Sequence, residues 1–378
     1  MIPSSQFSLF PSPGQRQYAC DTPSESNEDR VAMILEELES YDHLHCVDLS
    51  GKDINGDEIE LILELLKKCN VNEIDLYDNL IKDEGASTLS SLISASGDSW
   101  KVKRLYLGRN SIGPLGAISI GTMLGMNTSL ETLSLSDNIC DSSGADALTE
   151  GLISSFVHDV FFHSNQIGDR GAIAFGKMLT ITDRLKTLVL DTNSISCDGA
   201  SSLANGLRTN TSLATLSLAD NHISQDGGIA IASMLMANKS LSSIDLSRNY
   251  LGASSGRIAE ALCKNEALLV LKLGSNDIKD DCMVAFSKLI LTNGTLTHLA
   301  LDINEISDVG AAEIVSAFDS SFAKGRQVIL NTMTLCYNHM STVGTTKIAS
   351  AAERSNVMVS VFGNGDASSN EEDEAKNH

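Results

Sequence analysis

Apolar and polar residues alternate along this chain in a unit of about 28 residues that recurs from residue 44 to residue 362. The clearest copy, residues 213–241, opens with Leu213, Leu216 and Leu218 in the pattern LxxLxL and continues into a helical run. Successive copies of the last residue of this pattern, here called the anchor, are 27 to 34 residues apart. A repeat this regular predicts a solenoid, in which each unit packs on its neighbours. The anchors are Leu49, Leu76, Leu107, Leu135, Phe162, Leu190, Leu218, Leu246, Leu273, Leu301 and Leu335.

The first half of each repeat predicts a short β-strand. The anchor and the apolar residue two places before it share one face, because side chains in a strand alternate between two faces. An asparagine stands three residues after the anchor in ten of eleven repeats, and only the first repeat departs, with Lys52. Its amide has donors and an acceptor, so we expect it to satisfy backbone groups where the strand ends. These asparagines are Asn79, Asn110, Asn138, Asn165, Asn193, Asn221, Asn249, Asn276, Asn304 and Asn338.

The second half of each repeat predicts a helix. Apolar residues four apart, such as Leu203 and Leu207, place one helix face toward the strands. Glycine stands nine residues after the anchor in eight repeats, which suggests a helix start pressed against neighbouring backbone. Asp or Ser precedes this glycine in most repeats, and we expect it to be the N-cap of its helix. Examples are Asp83, Asp169, Asp280 and Asp308.

These units resemble leucine-rich repeats, and their length, helix and trailing Gly-Ala resemble the ribonuclease-inhibitor subtype. The resemblance covers residues 44 to 362 and implies an α/β fold, a right-handed solenoid or horseshoe of about eleven repeats. It also implies a parallel sheet on the concave side and helices on the convex side. The spacing of the elements agrees, because neighbouring strands lie about 4.8 Å apart whereas packed helices need about 8–10 Å.

Three segments are predicted along the chain. Residues 1–28 are rich in Ser, Pro and polar groups and are expected to be disordered. Residues 29–362 are expected to form the solenoid, beginning with an amphipathic helix that covers the N-terminal end of the core. A last strand from Val357 would close the other end, and residues 363–378 are an acidic tail that we expect to be disordered.

Composition restricts the partners and the compartment. The chain has 378 residues and a net charge of −22, which disfavours nucleic acid and anionic membranes and favours a basic partner or solubility alone. It contains no run of 18 apolar residues, so no membrane span is predicted. The N-terminus lacks the basic leader and long apolar block of a secretory signal, whereas a transit peptide is left open. We expect a cytoplasmic protein, with the nucleus as the alternative.

The eight cysteines follow the repeat and include no CxxC pair, so they predict neither a disulfide framework nor a zinc site. We expect small buried hydrophobic side chains in a reducing compartment. Four N-x-S/T sequons lie at Asn127, Asn210, Asn238 and Asn293, where a helix ends. We interpret these asparagines as C-caps and not as glycosylation sites.

The sequence contains none of the motifs GxxxxGK[ST], HExxH or GxSxG. His163, His222, His298 and His339 fall near the predicted sheet rim, but most of them are more than one strand apart. We therefore expect no catalytic residue, no metal and no cofactor.

The repeat instead specifies a surface. Residues one before, one after and three before each anchor are predicted to face the concave side, and those just beyond the strand form a rim. Aromatic and arginine side chains commonly anchor interfaces, and Phe161 is expected to be exposed until a partner covers it. The candidate partner-binding residues are Asp75, Tyr77, Asp78, Arg104, Tyr106, Arg109, Phe161, His163, Asp191, Asp245, Arg248 and Tyr250.

Two junctions between repeats are longer than the others. One contains Trp100 in SASGDSWKVKRL, and the other contains Lys324 and Arg326 in DSSFAKGRQVIL. Both carry basic residues in an acidic chain. They are either protruding partner contacts or ordinary insertions.

The function predicted first is non-catalytic binding of a protein partner on the concave face by a monomer. The alternative is a GTPase-activating protein, because the repeat subtype, the copy number and the acidic C-terminus are similar to the Ran GTPase-activating proteins. Those proteins position the catalytic machinery of a small GTPase. Here the acidic tail is shorter and the repeats are more uniform, and no local motif places the functional residues of that family on this chain. An immune-receptor sensor and a ribonuclease inhibitor are further alternatives by fold analogy.

Overall fold

Twelve short strands form one parallel sheet in which the strands lie in their order along the chain. The computed structural model describes residues 36, 45–67, 71–97 and 100–365, and the sheet is built from these. Each strand pairs with the next over three residues, as Thr215–Ser217 does with Ser243–Asp245. The strands are β1 Cys46–Asp48, β2 Glu73–Asp75, β3 Arg104–Tyr106, β4 Thr132–Ser134, β5 Asp159–Phe161, β6 Thr187–Val189, β7 Thr215–Ser217, β8 Ser243–Asp245, β9 Val270–Lys272, β10 His298–Ala300, β11 Thr332–Thr334 and β12 Met358–Ser360.

An α-helix follows each strand from β1 to β11 in the described part of the chain, and consecutive helices pack side by side. The helices are α1 Gly56–Leu66, α2 Lys82–Ser96, α3 Pro114–Leu124, α4 Ser142–Ser154, α5 Gly168–Leu179, α6 Cys197–Leu207, α7 Gln225–Ala237, α8 Ser254–Leu262, α9 Met283–Thr292, α10 Asp308–Ala323 and α11 Thr342–Arg354. One apolar cluster runs between sheet and helices from Val47 to Val357. The predicted α/β solenoid with its parallel sheet is therefore confirmed.

The asparagine after each strand ties adjacent repeats together, as predicted. The Nδ2 group of Asn221 donates to the carbonyl oxygen of Leu190 in the preceding repeat at 3.0 Å and to that of Leu218 at 3.1 Å. Its Oδ1 accepts from the backbone N–H groups of Asn193 at 3.1 Å and Ile195 at 2.9 Å. The same bonds recur along the stack. Each asparagine thus satisfies buried backbone groups of two repeats.

The ladder continues past the predicted end of the solenoid. The predicted last strand is confirmed as β12, which pairs with β11. After it, Asn364 accepts from the N–H of Asn338 at 2.9 Å and donates to the carbonyl oxygen of Leu335 at 2.8 Å. The repeat pattern therefore extends beyond the predicted boundary at residue 362. The predicted disordered segments, and the N-terminal capping helix except residue 36, lie outside the described residues apart from 363–365.

The aspartates expected to cap their own helices instead cap the helix of the next repeat. Asp169 lies inside the first turn of α5, beyond the N-cap position at Ile167, so it is past the point where it could serve as that cap. Its Oδ1 accepts from the N–H groups of Ser196 at 2.8 Å and Gly199 at 3.0 Å, at the start of α6. Asp83, Asp280 and Asp308 make equivalent bonds to the following helix.

The glycine nine residues after the anchor allows this close approach. A Cβ atom at Gly199 would lie 2.7 Å from Oδ1 of Asp169 and 2.8 Å from the Cβ of Ala172. At Gly85 it would lie 3.0 Å from the Cα of Gly56. The predicted tight packing of helix starts is confirmed, and the carboxylate of the preceding repeat is part of what the glycine accommodates.

A second set of asparagines closes the other end of the helices. Asn238 follows α7, and its Nδ2 donates to the carbonyl oxygen of Leu207, the last residue of α6, at 2.7 Å. Its Oδ1 accepts from the N–H of Leu241 at 2.8 Å. Asn210 and Asn293 make equivalent bonds. The sequon asparagines with these bonds therefore cap helix C-termini as expected. The side chain of each one, however, bonds to the helix of the preceding repeat and not to the helix that it follows in the sequence.

The two long junctions differ. Trp100 is only 4% exposed and belongs to the core, so its side chain is not a protruding contact. Phe322, Lys324 and Arg326 are exposed around the end of α10. In the first junction Lys101 and Lys103 are nevertheless exposed, so both junctions present basic side chains to solvent.

The six described cysteines are free thiols. Burial raises the pKa of Cys140 to about 12 and that of Cys282 to about 11, as expected for small buried side chains. The other four are partly exposed, which corrects the expectation that all are buried; they are Cys46, Cys197, Cys263 and Cys336. No described helix has both the length and the hydropathy needed to cross a bilayer.

Candidate partner-binding surface

The concave face presents three columns of side chains, from the first and third residues of each strand and from the residue after the anchor. In the second repeat these are Glu73, Asp75 and Tyr77, whereas Ile74 and Leu76 between them are fully buried in the core. The alternation follows from the pleat of the strand. It places the predicted concave positions where the repeat pattern expects them.

A rim borders these columns at the residue two places after each anchor. In repeats 2 to 11 this residue is not glycine, yet its φ lies between 52° and 58°. The left-handed conformation turns the chain so that the next residue, the ladder asparagine, is buried, while most of the rim side chains are exposed. The rim residues are Asp78, Arg109, Asp137, Ser164, Thr192, Asp220, Arg248, Ser275, Ile303 and Tyr337.

Three polar side chains connect across repeats 2 to 5. The ring of Tyr77 lies over Gly108, where a Cβ would be 2.6 Å from its Cδ2 atom. Its Oη donates to Oδ2 of Asp137 at 3.4 Å. The same Oδ2 lies 3.7 Å from Nε2 of His163. We call Tyr77, Asp137 and His163 the aromatic–acid chain. Sequence reasoning missed Gly108, although a glycine beside Tyr77 in the concave column was the available signal.

The charges of the aromatic–acid chain follow from its surroundings. Burial is the main cause that raises the pKa of Tyr77, and the Asp137 carboxylate is the second, so the hydroxyl keeps its proton. Burial lowers the pKa of His163 although Asp137 opposes this, so the imidazole is neutral at pH 7. The group presents a hydroxyl, a neutral imidazole and a carboxylate. This set can hold a cationic or hydrogen-bonding group of a partner.

Both candidate arginines of repeat 3 already have carboxylate partners. Nε of Arg104 lies 2.6 Å from Oε2 of Glu73, and Nε of Arg109 lies 3.3 Å from Oδ1 of Asp78. The Arg109 pair is exposed on both sides, so it contributes little to stability. A partner carboxylate can therefore replace Asp78 at small cost.

Two predicted contact residues are less accessible than the sequence suggested. Phe161 is only 5% exposed, so the expectation of an exposed phenylalanine is wrong. It stands in a column between Ser134 and Val189, and the chain's own side chains cover it. Asp75 is also buried, and its Oδ1 accepts from the N–H of Tyr77 at 3.0 Å. Tyr106 is partly exposed between them on β3.

A second group of predicted residues lies across repeats 6 to 8. Oδ1 of Asp191 accepts from the N–H of Ala219 at 2.8 Å, so its carboxylate lies across the next repeat. Burial raises the pKa of Asp191 to about 6, and the negative charge of Asp245 acts in the same direction. Asp245 itself pairs with Lys272 at 3.1 Å. Asp191 is therefore a concave carboxylate whose charge changes near pH 6.

The rim beside this second group carries the last predicted residues. Nε of Arg248 lies 3.6 Å from Oδ1 of Asp220. The ring of Tyr250 stacks on His222 with centroids 6.3 Å apart and is more than half exposed. The predicted residues therefore fall into two groups, in repeats 2 to 5 and in repeats 6 to 8. Within the described residues, no three His, Cys, Asp or Glu side chains are placed to hold a metal ion.

Three stretches of the chain match the family model described as Leucine Rich repeat, over residues 162–176, 209–232 and 292–315. These three stretches are leucine-rich repeats. An internalin from Listeria monocytogenes has a similar structure, with a TM-score of 0.52 and 19% identity over 88% of this chain and 83% of the internalin. At this identity the likeness shows the leucine-rich-repeat fold alone.

A second solved structure, described as Actin-Binding Site 2 of leiomodin-1, is 20% identical over 41% of this chain and 92% of that one. Its TM-score of 0.33 is too low to support an argument. No curated protein sequence matches this chain. Leucine-rich-repeat proteins generally mediate protein–protein interaction, and their fold is typically a non-enzymatic scaffold.

Proposed function

We propose that this leucine-rich-repeat protein binds a protein partner on its concave face and catalyses no reaction. The observation that carries the proposal is the aromatic–acid chain, in which Tyr77, Asp137 and His163 are linked across four repeats beside the exposed Arg109. Tyrosine and arginine on a rigid surface are frequent interface anchors. A twelve-stranded sheet with an asparagine ladder holds such anchors at a constant spacing, which reduces the entropy lost on binding.

The partner that fits this face is basic. Carboxylates outnumber lysines and arginines along the three columns and the rim, and the whole chain has a net charge of −22. Complementary charge accelerates association and disfavours acidic partners. The acidic side chains are Asp48, Glu73, Asp75, Asp78, Asp137, Asp159, Asp191, Asp220, Asp245 and Asp302, and the basic ones are Arg104, Arg109, Arg248 and Lys272.

We further assign the repeats to the ribonuclease-inhibitor-like subtype and place the protein, as a monomer, in the cytoplasm or nucleus. A full helix in every complete repeat and the close-packed glycines support the subtype. Six free thiols support a reducing compartment. Sedimentation of the purified chain tests the monomer, and a dimer at low concentration would contradict it.

Affinity capture from the native lysate tests the proposed function. We expect the wild-type chain to recover a specific protein, and the variant Tyr77→Ala/Tyr106→Ala/Arg109→Ala to bind that protein at least about tenfold more weakly, because hot-spot truncations cost on the order of 2 kcal/mol each. Arg170→Ala, which removes an exposed arginine of the convex helix α5, is the matched control. Unchanged binding by the triple variant would contradict the proposal.

The alternative function is activation of a Ran-type GTPase, and it rests on the repeat resemblance and on the exposed Arg109 near the expected face. An assay of GTP hydrolysis by a Ran-type GTPase, with and without this chain, decides it. A rate increase that Arg109→Ala abolishes would support activation. No increase removes the alternative and leaves the binding proposal standing.

A further inference from the structure

The convex side carries an open groove of about 500 Å³ between α7 and α8. Ile229 and Met236 of α7 line it and are 48% and 54% exposed. They are seven residues apart and therefore on one face of the helix, about 10 Å apart along its axis. Ala232 and Ala261 form buried parts of the lining, so the floor of the groove is apolar and smooth.

The groove exists because adjacent helices differ in length. α7 ends 19 residues after its anchor Leu218, whereas α8 ends 16 residues after its anchor Leu246. The last turn of α7 therefore extends past the end of α8. The residue of the next repeat that is equivalent to Met236 is Lys264, which lies beyond the end of α8. The next repeat thus has a lysine at this position and not an apolar residue.

The charge around this groove is opposite to that of the whole chain. Arg257, Lys264 and Lys288 line it, and Glu260 is the acidic residue in the lining. Glu260 pairs with Arg257 at 3.1 Å. Lys264 and Lys288 are exposed, and the described residues provide no ion-pair partner within 4.0 Å for either ammonium group. A net positive, apolar groove on a chain of net charge −22 is thus a local feature of repeats 7 to 9.

We propose that this groove binds an acidic amphipathic helix of a partner protein. Apolar residues of that helix, spaced three or four apart, would contact Ile229 and Met236, and its carboxylates would reach Lys264 and Lys288. Methionine adapts its shape to different apolar side chains, which suits such a site. The surface is on the opposite side of the sheet from the concave face, so this interaction does not depend on the proposed concave function.

The probe for this site is a synthetic fluorescent peptide of four helical turns with leucines at positions i, i+3, i+4 and i+7 and glutamates elsewhere. Fluorescence anisotropy is measured while the full chain is added to the peptide. We expect saturable binding, with an affinity that falls as the NaCl concentration is raised. Met236→Glu is expected to reduce affinity at least about tenfold, since it places a charge in the apolar contact. Leu115→Glu, an exposed convex leucine outside the groove, is the matched control.

Charge reversal distinguishes specific binding at this groove from non-specific binding of the peptide. The variant Lys264→Glu/Lys288→Glu is expected to bind the acidic peptide more weakly. It is expected to bind a peptide with lysine in place of glutamate more tightly. The control Lys177→Glu/Lys324→Glu, at exposed positions elsewhere, should leave both affinities unchanged. The proposal is overturned if the acidic peptide does not bind, if a scrambled peptide binds equally, or if the control variants have the same effect as the groove variants. Circular dichroism of each variant excludes unfolding as the cause.

Discussion

The residue two places after each anchor shows how a backbone requirement can be independent of side-chain identity. This residue is left-handed in every repeat, yet aspartate, arginine, serine, threonine, isoleucine and tyrosine all occupy it. Left-handed φ is costly for β-branched residues such as Thr192 and Ile303. The sequence pattern located this rim but not its conformation, because glycine does not mark it.

Ile303 is a β-branched rim residue with a φ of 52°, and its side chain is 56% exposed. Asparagine tolerates the left-handed region, so Ile303→Asn is expected to raise the free energy of unfolding by about 0.5–1 kcal/mol. Urea unfolding measures this. Ile139→Asn, at a similarly exposed isoleucine outside the left-handed region, should give no gain. Equal effects of both substitutions would show that strain is not the cause.

Asp191 is a concave residue whose ionisation depends on burial. Its pKa is raised from 3.8 to about 6, so the folded chain keeps a proton that the unfolded chain has already released between these values. The contribution of this group to the free energy of unfolding therefore falls by on the order of 2 kcal/mol as the pH rises from about 4 to 6.

The variant Asp191→Asn lacks this titration but keeps an oxygen that can accept the Ala219 N–H. We expect the difference in unfolding free energy, wild type minus variant, to decrease through that pH range. Carboxyl-selective NMR titration should give a midpoint near 6 for Asp191 and one below 3.8 for Asp308, whose bonds to Ser341 lower its pKa. A flat difference together with an ordinary Asp191 midpoint would exclude the buried-carboxylate account.

At the scale of the element, most helices are completed by residues of the neighbouring repeats. α6 has its N-terminal amides bonded to Asp169 of the repeat before it and its last carbonyl bonded to Asn238 of the repeat after it. The residue types at these places were visible in the sequence as caps. The sequence did not show which helix each residue caps, because propensity describes a side chain's own helix and says nothing about the helix packed beside it.

Removal of one of these caps should therefore affect the helix of the following repeat. Asp169→Ala is expected to lower the free energy of unfolding by about 1–2 kcal/mol, because it leaves amides at the start of α6 unsatisfied. Asp198→Ala, at an exposed aspartate in the first turn of α6, should cost much less. Hydrogen exchange should locate the loss of protection at the start of α6. Loss confined to α5 would support capping within its own repeat instead.

At the scale of the molecule, negative charge is spread along both the concave face and the chain as a whole, with 49 acidic and 27 basic residues. Self-repulsion opposes the compact state. The ion pairs described above are mostly exposed, so they offset little of this repulsion. The basic groove of repeats 7 to 9 is the exception that the total charge conceals.

Screening of this repulsion should stabilise the fold. Raising NaCl from about 0.05 M to about 0.5 M is expected to increase the free energy of unfolding by roughly 1 kcal/mol, since the Debye length falls to a few ångströms. Urea unfolding at the two salt concentrations measures the change. Sucrose at matched osmolality controls for excluded-solute effects. A decrease with salt would mean that attractive pairs outweigh the repulsion.

The sequence alone determined the repeat, its strand, its asparagine ladder, its helix and the parallel order of the sheet. These features depend on local periodicity and on side chains that act within one repeat or on the next in a constant register. Tertiary structure decided which side chains remain accessible. It buried Phe161 and Trp100, brought Tyr77 and Asp137 together over Gly108, and left an apolar groove where α7 extends past α8. Such outcomes depend on the volumes and lengths of two or three adjacent repeats together, which a pattern within one repeat does not contain.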